Sequence, residues 1–160
     1  MIRLKNFTQL SLAEIYLVLA WRNDAKIAPL MRTQNIPLKR HLEFLKELRQ
    51  DESRRYFLVY EEEIRGEEIL GVIDFVGIGA HSCEFGLYQN PHLRGKGAIL
   101  MREVKRYAFE ILGVKELRAR VLKRNEKALK LYLQNGFEPQ KEGGNFLFVS
   151  LKNGGGGGGG

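Results

Sequence analysis

The sequence predicts a single α/β domain built on one mixed sheet flanked by helices, and three observations support this prediction. Helical and strand patterns follow each other in the order β α α β β β α β α β β. The three consecutive strands in the middle are joined by short polar turns, which is typical of an antiparallel meander. In the C-terminal half, a strand-helix-strand unit requires a crossover and parallel pairing. We therefore expect a sheet that combines both kinds of pairing.

The N-terminal part predicts one short strand followed by two helices. The strand is indicated by apolar residues near the start: Ile2, Leu4 and Phe7. Ser11 and Glu14 have the spacing of a capping box, which satisfies free backbone N–H groups at a helix start. The helix that follows has apolar residues at helical spacing: Ile15, Leu17, Val18 and Trp21. Pro37 begins a second helix, since proline suits the first helical turn. One face of that helix is expected to be apolar: Leu38, Leu42, Leu45 and Leu48.

The predicted meander begins at residue 55. Its strands are YFLVY, ILGVIDFVGI and CEFGLY, and the turn between the first two surrounds Gly66. Successive side chains of a strand point to opposite faces of the sheet. One face of CEFGLY therefore carries Glu84, Gly86 and Tyr88. The opposite face carries Cys83, Phe85 and Leu87.

The C-terminal part predicts two further helices with strands after each. The first helix has apolar residues at helical spacing: Met101, Val104, Ala108 and Ile111. Gly113 is placed to end that helix as a C-terminal cap. ELRARVL alternates like a strand, and Asn125 then caps a helix that Gly136 ends. Residues from Phe137 to the segment NFLFVSL are expected to form a terminal hairpin.

The composition is that of one soluble domain with anionic ligands. With 160 residues, of which 44% are hydrophobic, the chain can bury one core. We assign residues 1–153 to this domain and exclude the seven glycines of residues 154–160 as a tail. The net charge of +7 favours anionic partners, either nucleic acid, a membrane surface or phosphorylated small molecules. Nucleic acid is disfavoured because the basic residues are not gathered into a tail or interleaved with aromatics.

Cysteine and histidine usage argues against metal and disulfide chemistry. Cys83 is the sole cysteine, so the chain cannot form an intramolecular disulfide or a cysteine-based metal site. His81 and His92 lack the paired spacing of metal ligands. No window approaches the roughly 18 apolar residues of a membrane span. We therefore expect a cytoplasmic protein without a bound metal and without a membrane partner.

A glycine-spaced basic turn precedes the third helix, in the segment NPHLRGKGAILM. Backbone N–H groups at a helix start lack intrahelical partners, and the helix dipole adds positive potential, so phosphate is a natural ligand. The turn has neither the Walker A pattern nor the dinucleotide-binding pattern. Its backbone could still cradle a pyrophosphate through consecutive N–H groups. The residues of this predicted cradle are Leu93, Arg94, Gly95, Lys96, Gly97, Ala98 and Ile99.

These motifs together resemble the GCN5-related N-acetyltransferase superfamily. The resemblance rests on LRGKGA, on the strand with Glu84 before it, and on a spaced set after it: Asn125, Ala128, Tyr132, Gly136 and Phe137. Arg94 and Gly97 match the coenzyme A loop pattern [QR]-x-x-G-x-[GA] of that family. Ile99 stands where a glycine or alanine is usual. The matching order of elements covers residues 1 to about 151.

The resemblance implies acetyl-CoA as cosubstrate, splayed fourth and fifth strands, and roles for particular residues. Tyr132 would act as general acid toward the departing thiolate, and Glu84 would accept the proton of the amine. Asn125 and Ala128 would lie along the coenzyme. The family's fourth strand bulges, so that the backbone of Leu87 and Tyr88 would offer an N–H to the thioester oxygen. Cys83 lies on the opposite face from Glu84, which favours direct transfer over an acyl-cysteine route.

Within the superfamily, the chain is similar to the acetyltransferases of pseudaminic acid biosynthesis. The matching segments are IRLKNF, AWRND, RHLEFL, YFLVY, GVIDFV, SCEFGLY and KALKLYLQNGF. This resemblance implies a UDP-linked 4-amino-4,6-dideoxy sugar as acceptor, in a pathway that supplies flagellin glycosylation in bacteria. Residues at matching positions would hold this nucleotide-sugar: Arg22, Met31, His41, Glu84 and Tyr88.

Two other functions stay open from the sequence. One is acetylation of protein N-termini, as in the ribosomal-protein acetyltransferases, whose motifs overlap this sequence. The other is a non-catalytic module that binds coenzyme A or nucleic acid. The sequence also leaves open the sugar stereochemistry, a homodimer, and whether Glu84 or water is the base.

Overall fold

A computed structural model describes residues 1–31 and 35–154. The strands are β1 (Ile2–Asn6), β2 (Arg55–Glu63), β3 (Gly66–Val76), β4 (Ser82–Gln89), β5 (Glu116–Leu122), β6 (Glu138–Gly143) and β7 (Phe146–Lys152). The helices are α1 (Leu12–Arg22), α2 (Leu38–Leu48), α3 (Gly97–Arg106) and α4 (Glu126–Gln134). The predicted order of elements is confirmed. Short 3-10 turns lie at Phe7–Gln9 and Ala28–Leu30.

The seven strands form one mixed sheet in the order β1-β2-β3-β4-β5-β7-β6. The first four strands pair antiparallel, as the meander predicts. β4 and β5 pair in parallel over only three residue pairs, between Ser82–Glu84 and Glu116–Arg118. Beyond Glu84 the two strands separate. The mixed α/β fold and the splay between the fourth and fifth strands are therefore both present.

Each face of the sheet supports its own hydrophobic cluster. On one face, α1 and α2 pack against β2 and β3, with Val18, Trp21 and Leu45 among the buried residues. On the other face, α3 and α4 cover the sheet, with Met101, Val104 and further apolar residues buried. In the β2–β3–β4 ladder, Tyr56, Asp74 and Gly86 are directly opposite each other and share the α1 and α2 face.

The predicted start of α1 and the predicted end of the third helix are both found, whereas one residue predicted to be buried is exposed. Ser11 and Glu14 form the predicted capping box of α1. After Arg106, the α3 helix continues as a π-helical segment, Tyr107–Leu112, that ends at Gly113 with φ 70°. The prediction that Ile111 faces the core is wrong, since 57% of its surface is exposed. The wider π-helical turn changes the angular position of the residues that follow.

The buried face of α2 also differs from the predicted one. Leu45 and Leu48 are buried, but Leu38 and Leu42 are exposed, so the predicted stripe of four leucines is wrong in its first half. His41 takes the buried position instead. Hydrophobicity alone favours leucine there, whereas the structure satisfies both polar nitrogens of the imidazole internally.

No helix in residues 1–31 and 35–154 is long and apolar enough to cross a membrane. In the same described part of the chain, three carboxylates lie close enough together to hold a cation: Glu61, Glu63 and Glu68. They belong to the two strands of the β2–β3 hairpin. Exposed acidic groups of this kind are common without an ion.

Candidate active site

The loop between β4 and α3 presents free backbone donors at the start of α3. No side chain among residues 1–31 and 35–154 caps this helix. Within the described part of the chain, the N–H groups of Gly97, Ala98 and Ile99 have no acceptor. Gly95 has φ 72°, a left-handed conformation that glycine adopts without strain. The loop is therefore shaped to direct first-turn N–H groups toward an anion.

Fewer N–H groups of the loop are free than the sequence predicts. The Leu93 N–H donates to the Asn90 carbonyl at 3.0 Å. The Lys96 N–H donates to Gln89 Oε1 at 3.1 Å. Both bonds hold the loop in shape and remove these two donors from the anion-facing set. Arg94 is exposed at the rim of the loop.

Side chains around the loop explain two features of its sequence. A Cβ atom on Gly97 would lie 3.2 Å from Leu131 Cδ2, so glycine lets α4 approach the start of α3. Ile99 is partly buried and packs against the hydrophobic cluster on the α3 face. Its side chain thus faces away from the free N–H groups, and the departure from the family's small residue does not block them. Lys96 Nζ lies 3.6 Å from Glu68 Oε1.

α4 brings Asn125 and Tyr132 to the splay. The Asn125 side chain accepts a hydrogen bond from the Ala128 N–H at 3.3 Å, as a helix N-cap does. Tyr132 is 5% exposed, and its ring packs 5.2 Å from the Phe85 ring. Burial, followed by the nearby charge of Asp74, raises the pKa of the Tyr132 phenol. The phenol is therefore protonated at neutral pH.

Glu84 and Cys83 lie on opposite faces of β4, as the alternation predicts. Glu84 Oε2 lies 3.4 Å from Arg120 Nη2, so a cation from β5 already pairs with this carboxylate. Arg120 in turn stacks over the Phe146 ring at 5.6 Å. Cys83 is buried in the cluster beneath α3, where burial raises the pKa of its thiol to about 11. A buried, protonated thiol is a poor nucleophile.

The bulge expected in β4 at Leu87 and Tyr88 is not found in its pairing with β3. Residues 84–89 pair with 71–76 in unbroken register. The register shifts instead in the β2–β3 pairing, where Val59 pairs with Gly71 and Tyr60 pairs with Ile69. On the β5 side, however, residues 85–89 have no partner strand in the described part of the chain. The N–H groups on that edge are exposed because the strands diverge, and a bulge is not needed to expose them.

Asp74 is a residue of this site that the sequence reasoning missed. It lies on β3 opposite Gly86, and a Cβ atom on Gly86 would be only 2.6 Å from Asp74 Oδ1. Oδ1 is buried, and no residue in the described part of the chain hydrogen-bonds to it. Burial raises the pKa of Asp74 to about 7, an effect that the Gly86 N–H opposes and the charge of Glu84 increases. A single aspartate inside the apolar run VIDFV is the signal that could have identified it.

Arg22 lies on the same side of β4, at the end of α1. Its guanidinium stacks over the Phe44 ring at 4.8 Å. No carboxylate forms an ion pair with it among residues 1–31 and 35–154. Burial lowers the pKa of Arg22, and the nearby Tyr88 and Tyr56 hydroxyls oppose this effect. A half-buried guanidinium without a counter-ion is a suitable anion site.

His41 supports Arg22 from behind. Arg22 Nη1 lies 3.0 Å from His41 Nδ1, and His41 Nε2 lies 3.0 Å from the Ile15 carbonyl oxygen. Because a guanidinium only donates, Nδ1 is the acceptor and Nε2 carries the proton. Burial lowers the pKa of His41, which keeps the ring neutral. This revises the prediction that His41 contacts a ligand directly, because the side chain has no exposed surface.

The remaining predicted ligand residues lie on the α1 and α2 face of the sheet. Tyr88 is half-buried on the α1 and α2 face, close enough to Arg22 and Asp74 for their charges to affect the pKa of its phenol, which burial raises. Met31 is partly buried against the hydrophobic cluster on that face. The structure thus groups four predicted or newly found polar residues on one side of β4: Arg22, Asp74, Glu84 and Tyr88. Tyr132 approaches from the other side, through the splay.

A helix-start anion site, a splayed parallel strand pair and a protonated tyrosine beside it define an acyltransferase of the acetyl-CoA type. The chain belongs to the acetyltransferase (GNAT) family, whose model matches residues 16–137. Acetyl transfer is therefore its chemistry.

Among its relatives is acetyltransferase PseH of Campylobacter jejuni, which is 51% identical over 152 residues, or 95% of this chain and 94% of the relative. A crystal structure of C. jejuni N-acetyltransferase PseH in complex with acetyl coenzyme A superposes with a TM-score of 0.83 at 50% identity. That superposition covers 96% of this chain and 99% of the other. A spermidine N-acetyltransferase from Vibrio cholerae has the same fold, with a TM-score of 0.80 at 19% identity over 94% of this chain and 95% of the other.

Proposed function

We propose that this chain transfers the acetyl group of acetyl-CoA to the 4-amino group of UDP-4-amino-4,6-dideoxy-N-acetyl-beta-L-altrosamine. This is the step of pseudaminic acid biosynthesis that the sequence resemblance implies. The observation that supports this acceptor is Arg22, a half-buried guanidinium without a carboxylate partner in the described part of the chain. Residues 1–153 form the catalytic domain in this proposal, and the glycine tail has no part in it.

The acetyl-CoA site would be built from the β4–α3 loop and α4. The free N–H groups of Gly97, Ala98 and Ile99 would bind the pyrophosphate, with Arg94 at the rim. Asn125 keeps its amide nitrogen available, because capping uses only the side-chain oxygen. Acetyl-CoA supplies an activated thioester. An N–H group on the β5 side of the backbone at Leu87 and Tyr88 would donate to the thioester oxygen as negative charge develops there.

Tyr132 would protonate the leaving thiolate. Its raised pKa keeps the phenol protonated at neutral pH, which a general acid requires. Within residues 1–31 and 35–154, its hydroxyl has no hydrogen-bond partner. The hydroxyl oxygen is also not fully buried, so a substrate atom could reach it. Glu84 would lie near the amine, where it already forms an ion pair with Arg120.

The UDP moiety would lie on the α1 and α2 face. Arg22 would bind the diphosphate through paired charge-assisted hydrogen bonds, and neutral His41 would hold the guanidinium in position. Tyr88 and Met31 would contact the sugar side of the ligand. The net charge of +7 suits two polyanionic substrates. We place the reaction in the cytoplasm, and a homodimer stays a prediction.

A substrate panel tests the proposal. The protein is incubated with acetyl-CoA and, separately, UDP-4-amino sugars, peptides with free N-termini, and no acceptor, and thiol release and product mass are followed. We expect turnover with the UDP-amino sugar alone. Saturation by a peptide instead would replace this function with protein N-terminal acetylation. The absence of thiol release with every acceptor, together with salt-sensitive RNA binding, would identify a binding module.

The acceptor site has a matched pair of variants. Arg22→Gln should raise the KM for the UDP-amino sugar at least about tenfold, with the KM for acetyl-CoA unchanged, since a lost charged contact costs about 1.5–3 kcal/mol. Arg40→Gln, on the exposed side of α2, is the control and should leave both constants unchanged. An equal effect of both variants would show that general charge, rather than Arg22, attracts the acceptor.

A further inference from the structure

We propose that Asp74 is the group that receives the proton of the acceptor's ammonium, in the reaction proposed above. Asp74 and Gly86 face each other across the β3–β4 ladder. Both lie on the face of the sheet that also has Glu84 and Tyr88 and that is covered by Arg22 of α1. They are at the end of β4 where β5 diverges. The carboxylate is therefore placed beside the gap that Tyr132 enters from the opposite face.

One carboxylate oxygen of Asp74 is an exception to the usual pairing of buried polar atoms. Buried polar atoms in proteins are almost always hydrogen-bonded, because an unpaired one loses its water without compensation. Asp74 Oδ1 is buried without a partner in the described part of the chain. The sequence provides space for it, since any residue larger than glycine at position 86 would place a Cβ 2.6 Å from that oxygen. A carboxylate held this way has an open place for a cation.

Among the described residues, the groups that face Asp74 do not include a cation that neutralises it. From β2 comes Tyr56, from β4 come Glu84 and Tyr88, and from α4 comes Tyr132. Arg22 on α1 lies close enough to Tyr56 and Tyr88 for their charges to affect its pKa, but its guanidinium is hydrogen-bonded to His41. Glu84 differs, because Arg120 already binds it at 3.4 Å. An incoming ammonium group would be the first cation to meet Asp74.

The proton balance of the reaction assigns each group one step. The ammonium gives one proton to the Asp74 carboxylate, which leaves a neutral amine with a free electron pair. That pair forms the C–N bond at the acetyl carbonyl, and the C–S bond breaks. The leaving sulfur takes the Tyr132 proton, and the new amide nitrogen loses its second proton to the Tyr132 oxygen. Asp74 then releases its proton to solvent, so one proton is released in each turnover.

The pKa of a base that works at neutral pH should lie near the working pH. Burial raises the pKa of Asp74 to about 7, so the carboxyl can both accept and release a proton there. An ordinary aspartate would be too weak a base, and a permanently protonated one could not accept. The raised pKa of Asp74 agrees with the position of its carboxylate beside the gap.

The test compares Asp74→Asn with Glu84→Gln in the full chain, using acetyl-CoA and the UDP-amino sugar. We expect Asp74→Asn to lower kcat/KM about a hundredfold or more at pH 7, within the range of general base catalysis. Part of the activity should return at alkaline pH, where the free amine is already neutral. Acetyl-CoA affinity, measured by calorimetry without acceptor, should not change. Glu84→Gln should lower kcat/KM less than about tenfold.

Two results would overturn the assignment. One is kcat/KM of folded Asp74→Asn within threefold of the parent at pH 7, and the other is a larger loss in Glu84→Gln. If Asp74→Asn does not fold, the dependence of kcat/KM on pH in Glu84→Gln decides. The fall in kcat/KM at acid pH should remain in that variant if Asp74 causes it, and its loss would assign the proton to Glu84. Turnover of the unmodified protein with the UDP-amino sugar is measured first, so failure of the proposed acceptor is recognised separately.

Discussion

Replacement of Asp74 by asparagine should stabilise the fold at alkaline pH and have little effect at acid pH. The pKa of this carboxyl is raised from 3.8 to about 7 in the folded protein. A tenfold change in proton affinity corresponds to about 1.4 kcal/mol, so the ionised carboxylate costs the fold at most about 4 kcal/mol above pH 7. The amide of asparagine has a burial cost similar to that of the neutral carboxyl, about 1–3 kcal/mol for a polar group without partners, so this cost cancels between the two proteins. The net gain in the variant above pH 7 is therefore at most about 4 kcal/mol.

The sign of the pH dependence follows from proton binding. The folded state binds this proton more tightly than the unfolded state, so the contribution of Asp74 to stability falls as the pH rises from about 4 to about 7. The free energy of unfolding of both proteins is measured by urea titration at several pH values, without acetyl-CoA. The difference between them should grow across this window and then level off.

Asp51→Asn is a control with the opposite sign. Hydrogen bonds from Ser53 and Arg54 lower the pKa of Asp51 to about 2, so its contribution is present above its unfolded pKa and is lost as the pH falls toward 2. That variant should be less stable than the parent at neutral pH. A stability difference between Asp74→Asn and the parent that is the same at about pH 4 and pH 8 would refute the buried, proton-binding carboxyl.

Three other changes have defined outcomes. Tyr132→Phe should fold, because its ring contact with Phe85 is kept, and bind acetyl-CoA but lose most of kcat; an unchanged kcat in steady-state assays would exclude it as the acid. Glu14→Gln should lose about 1 kcal/mol at pH 7 in urea unfolding: burial raises the pKa of Glu14, but hydrogen bonds from Lys5, Tyr60 and Ser11 together lower it to about 2, and solvent screening reduces the resulting stabilisation, which is lost as the pH falls toward 2. Gly71→Ala should unfold several degrees lower in thermal scans, because its Cβ would lie 2.3 Å from the Tyr88 carbonyl oxygen, a backbone atom that cannot rotate away.

Sequence periodicity predicted the features that depend on neighbouring residues. Alternation along one strand places Glu84 and Cys83 on opposite faces, and local capping rules placed Ser11 and Asn125. The order of elements followed from the same local patterns. These predictions succeed because each depends on only a few consecutive residues.

Features that depend on contacts between distant residues could not be predicted in this way. Asp74 becomes notable only when β3 pairs with β4 in a register that sets it opposite Gly86. His41 appeared to be a boundary residue or a ligand, since its partners on α1 are 19 and 26 residues away in sequence. The burial of Ile111 was predicted wrongly because the hydrophobic pattern of the sequence does not reveal a π-helical turn.

The short pairing between β4 and β5 has a thermodynamic consequence. Three residue pairs join two halves of the sheet, and the backbone beyond them has no partner strand in the described part of the chain. A ligand that occupies this gap binds the folded chain and not the unfolded one, so its free concentration adds to the stability of the fold. A hundredfold excess over its dissociation constant is worth about 2.7 kcal/mol. The lifetime of this protein in the cell should therefore depend on the supply of acetyl-CoA.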